Sequence, residues 1–279
     1  MGEFRDRMDR DLRIRGYAEG TRQAYLRCVR TFVGHFMRRP DELSLEHIHT
    51  FQLHLTAERN LSWSAFNVYV CALRFFFHVT LGKDWNIEQI PYQKRARPLP
   101  LVLSPEEALA VVEAPTNLKH RAILQALYGA GLRAREVTHL RPDHIDSRRG
   151  LVWVVAGKGR KDRYAPLSER FLETARAYWR EQRPPAPWLF PGPDAARPLT
   201  RSSVGRIVRS ACRSVGITKA VTPHTLRHSF ATHLMNHGAN LREIQKILGH
   251  RSLRTTEIYT HLAPDYLARL ESPLDTPPS

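Results

Sequence analysis

The chain has 279 residues, enough for two domains that each bury a core of their own. Its 43 Lys plus Arg against 27 Asp plus Glu give a formal net charge of +16 and a pI near 10.4, a balance that favours a polyanionic partner, nucleic acid or a membrane surface. No run reaches the roughly 18 apolar residues of a membrane span, and Met1 to Arg15 is charged throughout with no apolar signal region, so a cytoplasmic protein without a membrane anchor is expected.

Cys28, Cys71 and Cys212 are far apart and odd in number, which argues against a disulfide framework or a zinc knuckle and for buried free thiols. Apart from Lys83, Lys94, Lys119, Lys158, Lys161, Lys219 and Lys246, every cation is Arg. A guanidinium fork suits phosphate and guanine contacts.

The first 90 residues read as a small all-helical domain of about four helices. Thr21 to Phe36 places Tyr25, Cys28, Val29, Phe32 and Phe36 at helical spacing. Ser44 suits the cap of a helix through Leu55, and Ser62 or Ser64 that of one through Phe77. Residues 91–103, with Pro91, Pro98, Pro100, Lys94, Arg95 and Arg97, read as a basic linker able to follow a phosphate backbone.

A second domain is expected over 104–271, and a polar, Pro-rich tail over 272–279 is expected to be disordered. Ser104-Pro105-Glu106-Glu107 is a capping box with proline at the first helical position. Helices follow over Leu118 to Tyr128 and Ala134 to Leu140. Leu151 to Ala156 and Arg163 to Leu167 form a β-hairpin that carries Lys158 near its tip. Further helices are expected over Ser168 to Arg183 and Ser202 to Val215. Thr222-Pro223 repeats the cap-plus-proline start, so His224 and Arg227, three apart, share a face of the next helix. Asn240 caps another, and Gly249 stands where a C-terminal glycine belongs, with His250 just beyond.

Breaking a phosphodiester without a metal requires cations aimed at the non-bridging oxygens, a nucleophile in line with the leaving oxygen and an acid to protonate it. Arg133 and Arg227 can clamp the phosphate, His224 and His250 can donate to it or handle protons, Lys158 can be the acid, and Tyr259 can attack. Each residue alone has an ordinary explanation. A helix-borne Arg133 can pair with Glu136, His224 can cap a helix, Tyr259 can be a half-buried aromatic and Lys158 a surface lysine. Their joint order and spacing distinguish the pattern.

That pattern, Gly131-Leu132-Arg133, a glycine-turn Lys158, His224-x-x-Arg227, Leu248-Gly249-His250 and then Tyr259, resembles the tyrosine recombinases, the phage-integrase and Xer-type group. The Trp188-Leu189-Phe190-Pro191 stretch fits as well, and the resemblance runs from about Leu103 to Leu262. It implies a mainly α fold with a small β-hairpin or sheet, in which a helical core-binding domain precedes an α+β catalytic domain. It further implies a site-specific recombinase that cleaves and rejoins double-stranded DNA through a 3′-phosphotyrosyl intermediate on Tyr259. Arg133 and Arg227 become phosphate clamps, His224 and His250 phosphate ligands, Lys158 the general acid, and Glu136 a supporting carboxylate. No cofactor or metal is implied. The assembly is a homo-tetramer on two duplexes, with a related recombinase subunit as a possible member, and Ala263 to Leu270 is a candidate tail helix donated to a neighbouring protomer. Arg135 departs from the family's usual small polar residue.

Three rivals stand beside this reading. His224 and His228 are four apart, as zinc ligands on a helix would be, but Thr225 replaces the glutamate of a zinc hydrolase. A type IB topoisomerase uses related chemistry. A non-catalytic DNA-binding protein needs only the Arg side chains and helix ends.

Overall fold

In the computed structural model, residues 2–94, 99–155, 162–250, 252 and 256 are described. The backbone forms two compact units, Met1–Arg97 and Pro98–Ser279. It is mainly helical with one small sheet, as expected from the sequence.

The first unit holds α1 (Gly2–Ile14), α2 (Glu19–Phe36), α3 (Leu45–Ala57) and α4 (Trp63–Phe75), with α4 running into a π turn over Phe76–Thr80. The charged sequence of α1 conceals a narrow apolar stripe, Met8 and Leu12, which are four apart and both buried. At the centre, Phe32 meets Phe51 and Phe77 edge-on, with ring centroids 5.2 and 5.8 Å apart. Ser62 caps α4 by accepting from the Ala65 N–H, and at α3 the Ser44 backbone N–H donates to the His47 ring.

The proline-containing segment at the end of this unit begins as a strap, because its backbone groups find side-chain partners. Arg74 Nε donates to the Ile90 carbonyl at 2.9 Å, Gln52 Nε2 to that of Pro91 at 3.1 Å, and Asn67 holds both the N–H and the carbonyl of Gln93. Arg95, Arg97 and Pro98 lie outside the described residues. The thiols are free, but Cys71 is only partly buried, contrary to the expectation of three buried ones, and its Sγ lies 3.5 Å from the Tyr92 hydroxyl.

The second unit contains α5 (Pro105–Glu113), α6 (Leu118–Gly129), α7 (Ala134–Thr138), β1 (Ile145–Asp146), β2 (Leu151–Val154), β3 (Arg163–Pro166), α8 (Glu169–Gln182), α9 (Arg201–Ser214), α10 (Pro223–Asn236) and α11 (Leu241–Leu248). The strands form an antiparallel sheet in the order β1-β2-β3, with Val152 opposite Ala165 and Val154 opposite Arg163. Val152, Val154 and Ala165 turn to the core while Trp153 and Tyr164 remain exposed, the alternation that a one-sided sheet demands. The two-residue β1 is too short to leave a periodic signal in the sequence. The turn between β2 and β3 and the 272–279 tail are outside the described residues.

Helix α6 is the central element, and Ala122 to Leu127 are buried without interruption because α5, α8 and α10 pack around it. Buried polar groups fix the entry of the chain into this unit. The Ser229 hydroxyl accepts the Leu103 N–H at 2.9 Å, and the His233 ring bridges the Leu103 carbonyl at 3.0 Å and the Tyr128 hydroxyl at 2.8 Å. Leu103 is thereby tied to α10, the helix that carries His224 and Arg227.

The capping box at α5 forms as the sequence indicates. Ser104 Oγ accepts from the Glu107 N–H at 3.2 Å, and Glu107 Oε2 accepts from the Ser104 N–H at 2.9 Å. Ser104→Ala leaves a helix-end N–H without its acceptor and should lower stability by about 1 kcal/mol. Urea unfolding should show this as a lower midpoint with an unchanged slope.

Candidate active site

The site is built around one carboxylate. Glu136, on the first turn of the short α7, accepts the Arg133 backbone N–H on Oε2 at 2.7 Å and so caps its own helix. Its Oε1 also accepts from Arg133 Nη1 at 2.8 Å. Arg163, the first residue of β3, closes a two-point bridge on the same carboxylate, Nη1 to Oε1 and Nη2 to Oε2, each at 2.8 Å. Arg227 from α10 stands 3.7 Å from Oε2. Three guanidinium groups therefore surround one carboxylate, and the cluster keeps a net positive charge.

Arg227 is 2% exposed, an extreme burial for a permanently charged group. It is held by backbone carbonyls, Nη1 donating to Gly131 and Nη2 to Leu248 at 2.6 Å. The Gly131 carbonyl is available because the backbone there is left-handed, with φ 58°. A side chain at that position would also place its Cβ 2.5 Å from the Phe230 ring. The glycine of Gly131-Leu132-Arg133 thus serves both the turn and the packing beneath Arg227.

Gly249 plays the matching part at the end of α11. Its φ is 62°, and a Cβ would come within 2.9 Å of Arg163 Cδ. The left-handed cap turns the chain so that His250 reaches the cluster. His250 Nε2 lies 3.4 Å from Arg227 Nη2, and Nδ1 lies 3.0 Å from the hydroxyl of the fully buried Thr256. Because a guanidinium only donates, Nε2 faces it as an acceptor and Nδ1 carries the proton toward Thr256.

His224 stands at the exposed first turn of α10, just inside the cap Thr222. Its ring stacks toward His228, centroids 6.1 Å apart. Among the described residues no group of three or more His, Cys, Asp or Glu is arranged to hold a metal ion.

The electrostatics follow from this crowding of cations. Burial disfavours the imidazolium of His250, and the charges of Arg227 and Arg133 add to it, so its pKa falls to about 3. Burial and the neighbouring His224 take His228 to about 4. His224 is lowered by desolvation, then by Arg227 and Arg133. Burial alone would raise Glu136, but the hydrogen bonds and charge of Arg163, the Arg133 N–H and the charge of Arg227 prevail and bring it down to about 2.

The structure therefore brings together Arg133, Glu136, Arg227 and His250, with His224 at the rim. Lys158 and Tyr259 fall outside the described residues. Arg135 is exposed on the outer side of α7. Sequence reasoning missed Arg163 and Thr256. Arg163 opens the second strand of the hairpin and its alternation with exposed Tyr164 and buried Ala165 was available, but nothing local reveals that its partner lies 27 residues earlier.

Residues 102–265 match the phage integrase family, and residues 4–87 match the phage integrase N-terminal SAM-like domain. The chain belongs to the phage integrase family, the tyrosine recombinases. A putative integrase/recombinase of Sinorhizobium fredii is 44% identical over 279 residues, spanning 100% of this chain and 90% of the relative. Tyrosine recombinase XerD of Listeria monocytogenes serotype 4b is 34% identical over 269 residues, covering 89% of this chain and 90% of its own. Among solved structures, XerH site-specific recombinase in a post-cleavage complex with palindromic difH substrate shares the fold, with a TM-score of 0.74 at 22% identity over 88% of this chain and 77% of that one. This recombinase is a DNA strand-cleaving and rejoining enzyme. Among the described residues, no helix is long and apolar enough to cross a membrane.

The depressed histidines and carboxylate set the pH dependence of stability. With folded values of about 3 and 4, His250 and His228 stay neutral in the native recombinase while the unfolded chain protonates them below about 6.5, so unfolding takes up protons. Glu136 stays ionised down to about 2 and adds the same sign once the unfolded carboxylate protonates near 4.5. Stability of the DNA-free enzyme should fall as pH drops through 6.5 and fall further below 4.5. Denaturant unfolding across this range checks it: His250→Gln should flatten the limb above pH 5, and a pH-independent midpoint from 6.5 to 5 would contradict the assignment.

Proposed function

We propose that this recombinase cleaves DNA by attack of the Tyr259 phenolic oxygen on a phosphodiester clamped by Arg133 and Arg227. The observation that carries this reading is the cluster itself: rigid guanidinium groups held by backbone carbonyls and by Glu136, with His250 against Arg227. Such donors need little reorganisation as charge builds on the non-bridging oxygens.

In the first step the Tyr259 oxygen forms a bond to phosphorus and the bond to the 5′-oxygen breaks. The products are a 3′-phosphotyrosyl linkage and a free 5′-hydroxyl, with Lys158 supplying the proton to the departing oxygen. The phenol's proton passes to a neighbouring base or to water. In the reverse direction a 5′-hydroxyl attacks the phosphotyrosyl group and releases Tyr259. The covalent linkage retains the phosphodiester's energy, so rejoining needs no nucleotide cofactor.

His224 and His250 are the phosphate's imidazole ligands. In the free enzyme burial, reinforced by the charges of Arg227 and Arg133, disfavours the charged form of both. A bound phosphate offsets those charges and raises both pKa values, so an imidazolium able to donate from Nε2 becomes accessible when the substrate is present. The net positive pocket thus couples DNA binding to the protonation that cleavage uses. Glu136 supports the clamp without touching the phosphate. The working form is a tetramer on two duplexes, in which Ala263 to Leu270, outside the described residues, passes between protomers. The catalytic domain expected over 104–271 performs the chemistry and the helical domain expected over 1–90 grips the duplex. The cell compartment consistent with this partner is the nucleoid-containing cytoplasm.

Tyr259→Phe keeps the charge and shape of the site and removes only the nucleophile. It should bind target DNA with near-native affinity and form no covalent complex on a nicked substrate, assayed by denaturing gel. Arg227→Ala should bind but cleave slower by roughly 100-fold or more, since it removes a transition-state donor and leaves two buried carbonyls unpaired. A Tyr259→Phe protein that still cleaves would overturn the reading.

A further inference from the structure

Glu136 presents an anion-binding pocket with a difficulty. An ionised carboxylate beside Arg133 and Arg227 competes with the phosphate for the same two cations, and it remains ionised well below neutral pH. A clamp so engaged would meet the DNA partly neutralised.

We propose that Arg163 is a positioning residue for strand cleavage, which occupies both oxygens of Glu136 and so leaves Arg133 and Arg227 to the scissile phosphate. The inference rests on the reading of Arg133 and Arg227 as the phosphate clamp and extends it to a residue outside the expected set.

The two arginines on this carboxylate are held differently. Arg163 has all three nitrogens on protein acceptors: Nη1 and Nη2 on Glu136 at 2.8 Å each, and Nε on the Ile247 carbonyl at 2.6 Å. Its side chain is 8% exposed. Among the described residues, Arg133 gives Glu136 only Nη1, its Nε and Nη2 have no protein acceptor, and it is 21% exposed. One guanidinium is committed to the fold and the other keeps donors for a ligand. A bidentate fork is the geometry that neutralises a carboxylate most completely.

The position of Arg163 extends the effect. It opens β3, five residues after Lys158 in the sequence, and its Nε bond reaches the last turn of α11, three residues before His250. Gly249 has no side chain where Arg163 Cδ packs. One side chain therefore registers α7, the hairpin and the approach to His250 against each other. A lysine cannot reproduce this, because a single ammonium cannot span both oxygens and the Ile247 carbonyl.

A suppressor experiment separates this role from simple support of the fold. Cleavage of a nicked suicide substrate is measured at saturating DNA for the full chain and for Arg163→Ala, Arg163→Lys, Glu136→Gln and the two double variants, each normalised to the DNA-binding-competent fraction. Arg163→Ala should lower the cleavage rate by roughly 10- to 100-fold, with Arg163→Lys intermediate, while changing DNA affinity little. Glu136→Gln lowers cleavage in the native chain, yet in either Arg163 variant it should restore about tenfold, because it removes the competing anion. Additive losses in the double variants would overturn the inference, as would undiminished cleavage by both single variants. Failure of both single variants to fold would make Arg163 a residue of the fold alone and equally overturn it. None of these outcomes bears on Tyr259, whose own variant tests the underlying reading.

Discussion

The catalytic unit depends on one constraint: several guanidinium groups must be packed within reach of each other around a single carboxylate. Like charges at such distances repel strongly in a low dielectric, so the arrangement stands only if a counter-charge and fixed dipoles are built into it. Glu136 supplies the charge, and the carbonyls of Gly131, Leu248 and Ile247 supply the dipoles. Each carbonyl comes from a place where regular structure ends, the turn after α6 or the last turn of α11, because only there is a backbone oxygen released from its helix. The motif glycines follow from that need.

The same constraint explains how the fold is organised around the site. Helix α6 is buried along its central length and fixes the turn that offers Gly131. Helix α10 buries Arg227 on one face and uses Ser229 and His233 to seize Leu103, so the entry of the chain and the clamp share a rigid element. The sheet serves mainly to set Arg163 against Glu136. A buried ion cluster is a poor source of net stability, since desolvation offsets most of the attraction. Its value here is pre-organisation: donors held in fixed positions by protein acceptors.

In the free pocket burial, and then the neighbouring charges, disfavour the imidazolium forms of His224, His228 and His250. A pocket organised in this way keeps an excess of positive charge, which matches the strongly basic character of the whole chain.

By itself the sequence determined most of the elements and the family. Cap-plus-proline starts at Ser104 and Thr222, the glycine after α11 and the helical spacing of Tyr25 to Phe36 are local signals, set by backbone hydrogen bonding within a few residues. The order of Arg133, His224, Arg227 and His250 identified the family for the same reason, since residue type and spacing encode a reaction's needs directly. Local charge hid α1, whose stripe is only Met8 and Leu12, and brevity hid β1. Only the tertiary structure decided that Glu136 answers to Arg163 as well as to Arg133, that Thr256 backs His250, and that Ile90 to Gln93 lie on the helical unit. Those pairings span from 6 to 39 residues. A contact of that kind is fixed by how helices and strands pack, and no periodicity in the chain records it.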